Sequence, residues 1–414
     1  MNIREYFGFR EWTFALFLLA GIFKPNPETS DLPVDLTVLT AVLCFIFVAW
    51  RYLQLKDRLI KPLILIAILF LLFVPTLLWT DWNSYAVDKA ARFFTLTLLA
   101  AVAPIYIVRT SEDLRRFLSG FVFLCSVVTA AAFVVMLSQG EELDRLVALD
   151  ATTIVTARAI GIVILTLGLL WFEVRHKRWL IGSALVVLPT LLVSTGAKGP
   201  LLATPVALIV SLIAFGHKIR SQITRVLLMA FLGVTVFWLS IPLIPWTSLL
   251  RVGTFVVGSF GSSEIDRTSF YADALSGIRD NPQGLGLGGF ASKFGVSGGE
   301  IREFPHNTIL EAFLEGGWLA GAYFVFLLWL ALKASLTLGR EGTTVRLYRL
   351  LFCFNVFLLL NDLVSGELND SKASLAFMGM SIGLYAYSHQ TRLREQRWVE
   401  APGSDRLLTQ KGSD

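Results

Sequence analysis

Ile60-Lys61-Pro62-Leu63-Ile64-Leu65-Ile66-Ala67-Ile68-Leu69-Phe70-Leu71-Leu72-Phe73-Val74-Pro75-Thr76-Leu77-Leu78-Trp79 carries one charge near its start and no other before Asp81. About 20 apolar residues in a helix cross the roughly 30 Å hydrocarbon core of a bilayer, and this stretch has that length. Similar runs recur along the chain. Hydrophobic residues make up 55% of its 414 residues and charged residues only 16%, and mean hydropathy is +0.66. A soluble domain of this size carries more charge. The chain therefore reads as an all-α polytopic membrane protein. About twelve spans are expected, near 11–23, 34–51, 60–79, 93–109, 114–137, 153–172, 179–194, 200–216, 225–243, 308–333, 346–364 and 374–388. Each must be helical, because backbone groups in lipid have to be satisfied within the segment. Cys44, Cys125 and Cys353 fall mid-span and read as small apolar core residues, without disulfide or metal spacing. The first apolar segment runs into Lys24-Pro25-Asn26-Pro27, not into a small-residue cleavage site. It reads as a retained first helix.

Basic residues set the orientation. Arg51, Lys56, Arg58 and Lys61, then Arg109, Arg115 and Arg116, then Arg175, Lys177 and Arg178, occupy alternate loops. Lys218, Arg220, Arg340, Arg346 and Arg349 continue the pattern, whereas the loops between are acid-rich. The positive-inside bias then places both termini in the cytoplasm. Residues 1–388 form a single membrane domain, and 389–414 read as a disordered cytoplasmic tail. The net charge of +5 is spent on this topology, and no nucleic-acid partner is expected. One outer loop is long, about 244–307. Within it Thr268 to Arg279 reads as an amphipathic helix with Phe270, Ala274, Leu275 and Ile278 on one face. Asn281-Pro282 and Gly284 end that helix. Long loops with such content are usually functional.

Four residues on the outer side could carry chemistry. His306 closes the long loop and opens a span, whereas His176, His217 and His389 lie beside Lys or Arg in basic segments. An imidazole titrates near neutrality, and nearby cations would keep it neutral and able to accept a proton. The plainer alternative is a helix-start histidine held by a backbone carbonyl. Lys198 sits in the turn Thr195-Gly196-Ala197-Lys198-Gly199-Pro200, Arg267 at the start of the loop helix, and Arg158 inside a span. A span arginine faces the bundle interior and takes a partner. Converging cations would bind an anion such as phosphate. Each also has a structural alternative: an ion pair for Arg158, a loop charge for Lys198, a pair with Glu264 or Asp266 for Arg267. Asn307, Glu311 and Glu315 follow His306. They could orient the span or hold an acceptor, or they could cap and pair with neighbours. No metal-binding pattern is present on that side of the sequence. Gly284-Leu285-Gly286-Leu287-Gly288-Gly289 matches a dinucleotide loop only in letters, since it follows a helix. It reads as a turn that lets backbone approach a headgroup or another helix.

The order of these motifs resembles the O-antigen ligase/polymerase superfamily of bacterial envelope glycosyltransferases, and most of all its ligases. The resemblance rests on Thr195 to Gly199, Arg267 to Phe290 and His306 to Gly321. It implies a glycan donor on undecaprenyl pyrophosphate, an acceptor such as lipid A-core, and transfer at the periplasmic face of the inner membrane without metal or other cofactor. By position it implies that Lys198 and Arg267 hold the pyrophosphate and that His306 activates the acceptor. The family's turn usually carries Arg where this chain has Lys198, which leaves room for Arg158, Lys89 and Arg92 to share the charge. A repeat-unit polymerase would share the chemistry. A transporter with Arg158 and Lys198 in an anion path is the rival of another class, but no internal repeat supports it.

Single cysteines placed in the 244–305 loop should react with an impermeant reagent added outside. Reaction only after the inner membrane is broken would reverse the topology.

Overall fold

The computed structural model describes residues 5–23, 35–55, 60–139, 146–149, 151–171, 178–216, 235, 238, 241, 244–257, 262–296, 302–341 and 345–399. The protein is an all-α polytopic membrane protein. Among the described residues there is no strand, and eight helices are long and apolar enough to cross a membrane. In chain order the helices are α1 (Phe9–Leu19), α2 (Leu36–Leu55), α3 (Ile60–Phe73), α4 (Ser84–Arg92), α5 (Leu98–Ile107), α6 (Ser111–Gln139), α7 (Thr153–Trp171) and α8 (Arg178–Ser194). They continue with α9 (Lys198–Phe215), α10 (Trp246–Val257), α11 (Ser262–Asp280), α12 (Gly289–Phe294), α13 (Thr308–Glu341), α14 (Val345–Ser365) and α15 (Lys372–Val399).

Three of the expected spans differ from the helices, and one lies almost wholly outside the described residues. α1 has 11 residues and ends in a 3-10 turn, Ala20–Ile22, which is short for a bilayer. The expected span at 225–243 lies almost wholly outside the described residues. α15 runs past the expected end at 388 to Val399, and residues 400–414 of the expected tail lie outside the described residues. The last difference matters most. The span expected at 93–109 begins earlier, because α4 and α5 join through a π-helical stretch, Phe93–Thr97. Lys89 and Arg92, expected in an outer loop ahead of that span, belong to it, and Lys89 lies inside the bundle with no exposed surface.

Lys89 can be buried because two carboxylates meet it. Its Nζ donates to Glu311 Oε1 at 2.5 Å and to Glu315 Oε1 at 2.7 Å, and both glutamates are fully buried. Glu311 and Glu315 lie one turn apart on one face of α13. Glu311 Oε2 also accepts from the Leu368 N–H at 2.9 Å, and Asn369 Nδ2 donates to the Lys89 carbonyl at 3.0 Å. One cation thus joins α4, the first turns of α13 and the connection between α14 and α15.

The first part of α13 is a separate piece of helix. Gly317 breaks it with φ 79 and ψ 177. A break inside a span exposes carbonyls that need donors. The glycine turn of the long loop supplies them: Leu285 N–H donates to Leu314 O at 2.7 Å and Gly286 N–H to Glu315 O at 3.1 Å. In return Trp318 N–H donates to Pro282 O at 2.9 Å. The backbones are so close that a Cβ on Gly284, itself at φ +88, would lie 2.5 Å from Glu315 O and from Gly317 N. Of the two readings of this turn, approach to a headgroup or to another helix, the fold shows the second. Trp79 Nε1 donates to Gly284 O at 2.9 Å and Leu287 N–H to Thr80 Oγ1 at 3.2 Å, which ties the turn to the end of α3 as well.

The long loop is folded onto this end of the bundle. Ala274, Phe290 and Leu314 form a small buried core, with Phe270, Ile278 and Leu310 packed against it. Leu275, expected on the same face, is instead exposed, because Phe270, Ala274 and Ile278 already complete one stripe at four-residue spacing. Two larger cores fill the bundle, one around α1, α6, α7 and α14 and one around α3, α13 and α15. Cys44, Cys125 and Cys353 are buried and free, as expected.

Removing one partner of a buried ion pair costs about 3–5 kcal/mol, because the charges left behind remain uncompensated. Lys89→Met should therefore lower the thermal midpoint of the detergent-solubilised protein sharply. The triple change Lys89→Met, Glu311→Gln, Glu315→Gln should recover most of that loss, and no recovery would deny the triad its electrostatic role.

Candidate functional site

The site is assembled around the last turn of α14 and the connection that follows it. A helix ends with carbonyls that lack intrahelical partners and with partial negative charge. Side chains from three other elements take up these groups. Arg158 of α7 donates to the Ser365 carbonyl at 3.3 Å and to Ser365 Oγ at 3.2 Å, and stands 3.9 Å from the Asp362 carboxylate. Thr308, the first residue of α13, donates its hydroxyl to Asp362 O at 3.0 Å. Tyr271 of α11 donates to Leu363 O at 3.3 Å. The start of α9 lies alongside: a Cβ on Gly199 would sit in ordinary van der Waals contact, 3.7 Å from Val364 and 3.8 Å from Ser365 Oγ.

This places the expected residues at one end of the bundle. Lys198 is half-buried at the head of α9, beside Gly199. Arg267 lies one turn before Tyr271 and lowers the basicity of His306 by its charge. Arg158 keeps its carboxylate neighbour at ion-pair range, and its Nε has no partner among the described residues. The side chains of Glu264 and Asp266, alternatives for pairing with Arg267, lie outside the described residues.

His306 precedes the α13 cap. It adopts a left-handed backbone conformation, φ 54, uncommon for a residue with a side chain but tolerated by His. Its ring lies between Phe304, with centroids 4.3 Å apart, and Phe270 of α11, 6.2 Å away and nearly parallel at 16°. Burial in this aromatic setting is the larger cause of a pKa lowered from 6.5 to about 4, and the charges of Arg267 and Arg302 add to it. The sequence pointed to cations as the reason for a neutral imidazole; desolvation outweighs them, and Lys198 is not among the causes.

The residues after His306 have structural work. Asn307 caps α13: its Oδ1 accepts from the N–H groups of Ile309 at 3.0 Å and Leu310 at 3.1 Å. That amide oxygen is no longer open to an acceptor. Of the alternatives for Glu311 and Glu315, holding an acceptor or pairing, the fold shows pairing, with a lysine remote in sequence. Lys89 itself, considered as a helper for Lys198, is enclosed by those glutamates and unavailable to an anion. Arg92 is exposed and pairs with Asp88 at 3.0 Å.

No residue of 361–371 stands out in the sequence as a site candidate, and 361–364 fall within the span expected at 346–364. Besides Asp362 and Ser365, this segment holds Glu367, whose Oε1 accepts from Tyr85 at 2.9 Å and whose Oε2 accepts from Arg302 Nε at 2.7 Å. Arg302 also bonds Asp370 and lies over the Phe304 ring at 5.4 Å, which seats the segment leading into His306. These two acids hold the guanidinium in its charged form, raising its pKa further. A cluster of acid and amide groups, Asn361-Asp362 and Glu367-Leu368-Asn369-Asp370, at a span end was the available signal.

No curated protein matches the chain. Residues 183–325 match the profile of the Wzy_C family, described as O-antigen ligase. The matched segment contains Lys198, Arg267, His306, Glu311 and Glu315 and stops at the start of the second half of α13. It carries the loop, the glycine turn and the histidine, whereas Arg158 and 361–371 lie outside it, and it supports placing the chain in the O-antigen ligase/polymerase superfamily.

Proposed function

We propose that the protein transfers a glycan from undecaprenyl pyrophosphate to a sugar hydroxyl of an acceptor, lipid A-core, at the periplasmic face of the bacterial inner membrane. At the coarser level, the family match supports glycan transfer of the ligase or polymerase type by a glycosyltransferase-like membrane enzyme. One observation carries the finer reading: a half-buried imidazole, held neutral, stands beside Arg267 at the bundle end where Lys198 and Arg158 also gather.

In this reading Nε2 or Nδ1 of His306 takes the proton from the acceptor hydroxyl. The oxygen attacks the anomeric carbon as the bond to the pyrophosphate oxygen breaks, with inversion. The leaving group departs as an anion, which Lys198, Arg267 and Arg158 stabilise. No metal enters the scheme. A pKa near 4 makes a weak base in the free protein. Binding the pyrophosphate beside the ring would raise that pKa and improve the base when the substrate is in place.

The division of charge supports a ligase over a polymerase. A polymerase would hold two pyrophosphates. Lys89, Arg92 and Arg302 are engaged by carboxylates, which leaves fewer cations on this side for a second pyrophosphate. A deletion strain should accumulate polymerised glycan on undecaprenyl pyrophosphate and expose bare lipid A-core. Core capped by a single repeat unit would make the protein a polymerase.

His306→Ala should cost about 10²–10⁴ in rate with insertion unchanged, and near-normal surface glycan at native expression would remove the histidine from the mechanism. Arg267→Ala should harm more than Arg267→Lys, and Lys198→Arg should keep activity; if Lys198→Ala is equally silent, Lys198 is a loop charge.

The pH dependence follows from the direction of the His306 shift. The folded protein binds this proton only near pH 4, whereas the unfolded chain binds it at 6.5. Folding is therefore weakened as pH falls through that window. Because kcat/KM reports the free enzyme, it should show no acid limb at 6.5. A clear loss of kcat/KM centred there would contradict a histidine held neutral by its surroundings.

A further inference from the structure

The end of the bundle opposite His306 holds a groove of about 840 Å³. We propose that it binds an anionic phospholipid of the leaflet that meets this end. Its walls are Leu118, Val122 and Phe123 of α6 and Leu350 of α14, and Arg115 and Arg346 stand at its mouth. The two arginines lie in the first turns of α6 and α14, so both sit at the level where those spans begin. Two of the hydroxyls that reach the groove are already used within their own helices: Ser126 donates to Val122 O at 2.8 Å and Thr166 to Ile162 O at 2.8 Å. The cavity wall is mostly apolar, and its mouth is cationic.

The acids beside Arg115 are occupied elsewhere. Glu112 is paired with Arg116 at 2.5 Å. Asp113 Oδ2 accepts the backbone N–H groups of Arg109 at 3.2 Å and Thr110 at 3.1 Å. From Arg115 to Ser126 the α6 wall rises about 16 Å, at roughly 1.5 Å per residue, room for much of an acyl chain laid along the helix. A phosphodiester between two guanidiniums with its chain against leucine, valine and phenylalanine matches both parts of the groove. A zwitterionic lipid would bring a cation to the same mouth and lose that advantage. The inference stands apart from the proposed reaction, since no residue of the groove belongs to the candidate site.

The test uses the full chain purified in detergent, delipidated, and offered phosphatidylglycerol or phosphatidylcholine of the same acyl composition, with retained lipid read by native mass spectrometry. The wild type should retain one phosphatidylglycerol, with a preference on the order of ten-fold or more over phosphatidylcholine. Arg115→Ala with Arg346→Ala should abolish the preference, and Arg115→Lys with Arg346→Lys should restore most of it. Ser119→Trp, which places a ring among the groove's lining residues, should block retention while both arginines remain. Equal retention of the two lipids by the wild type, an unchanged preference in the double alanine variant, or binding of inorganic phosphate with no lipid retained would each overturn the proposal.

Discussion

An ammonium group without access to water dictates the position of everything that neutralises it. Lys89 imposes that condition on this protein. Glu311 and Glu315 must present one face of α13 to α4, and the N–H of Leu368 must reach the remaining oxygen of Glu311. Three segments far apart in sequence thereby acquire one register. His306 stands at the head of the same short piece of helix, so its height in the bundle follows from a contact in which it takes no part.

Around that fixed piece, charge is distributed by two different rules. Inside the bundle a cation is matched by carboxylates, as at Lys89. At the open end cations collect around the C-terminus of α14, where a helix end already favours positive charge. The second rule accounts for the presence of Arg158 and the lysine turn near Ser365 without any ligand. A pyrophosphate would bring several formal charges to a place that a partial helix-end charge has already made cationic. The cations therefore need little rearrangement to serve a substrate.

The fold class was legible because lipid leaves a span only one way to satisfy its backbone, and the apolar runs state that requirement openly. Cys44, Cys125 and Cys353 read correctly for the same reason. His306 stood out because it is a polar residue at the boundary of an apolar segment, and the glycine turn because glycine marks close approach. What escaped was pairing at a distance. Nothing near Lys89 in sequence reveals that its partners lie in α13, so a charged stretch passed for a loop although it is the start of a span. The acids of 361–371 were hidden likewise: their partners are Arg158, Tyr85 and Arg302, each on another element. Periodicity reports which face of a helix is apolar, but not which other helix completes a buried charge.

The broken helix at Gly317 bears on how the molecule is made. The donors that satisfy its free carbonyls, Leu285 and Gly286, precede it in the chain, as does Lys89. Synthesis proceeds from the N-terminus, so the donors that meet the first half of α13 are made before that half emerges. The contacts from 361–371 and from α14 and α15 arrive afterwards. The segment bearing His306 can thus be held provisionally during biogenesis and be locked last, when the hairpin of α14 and α15 closes over it.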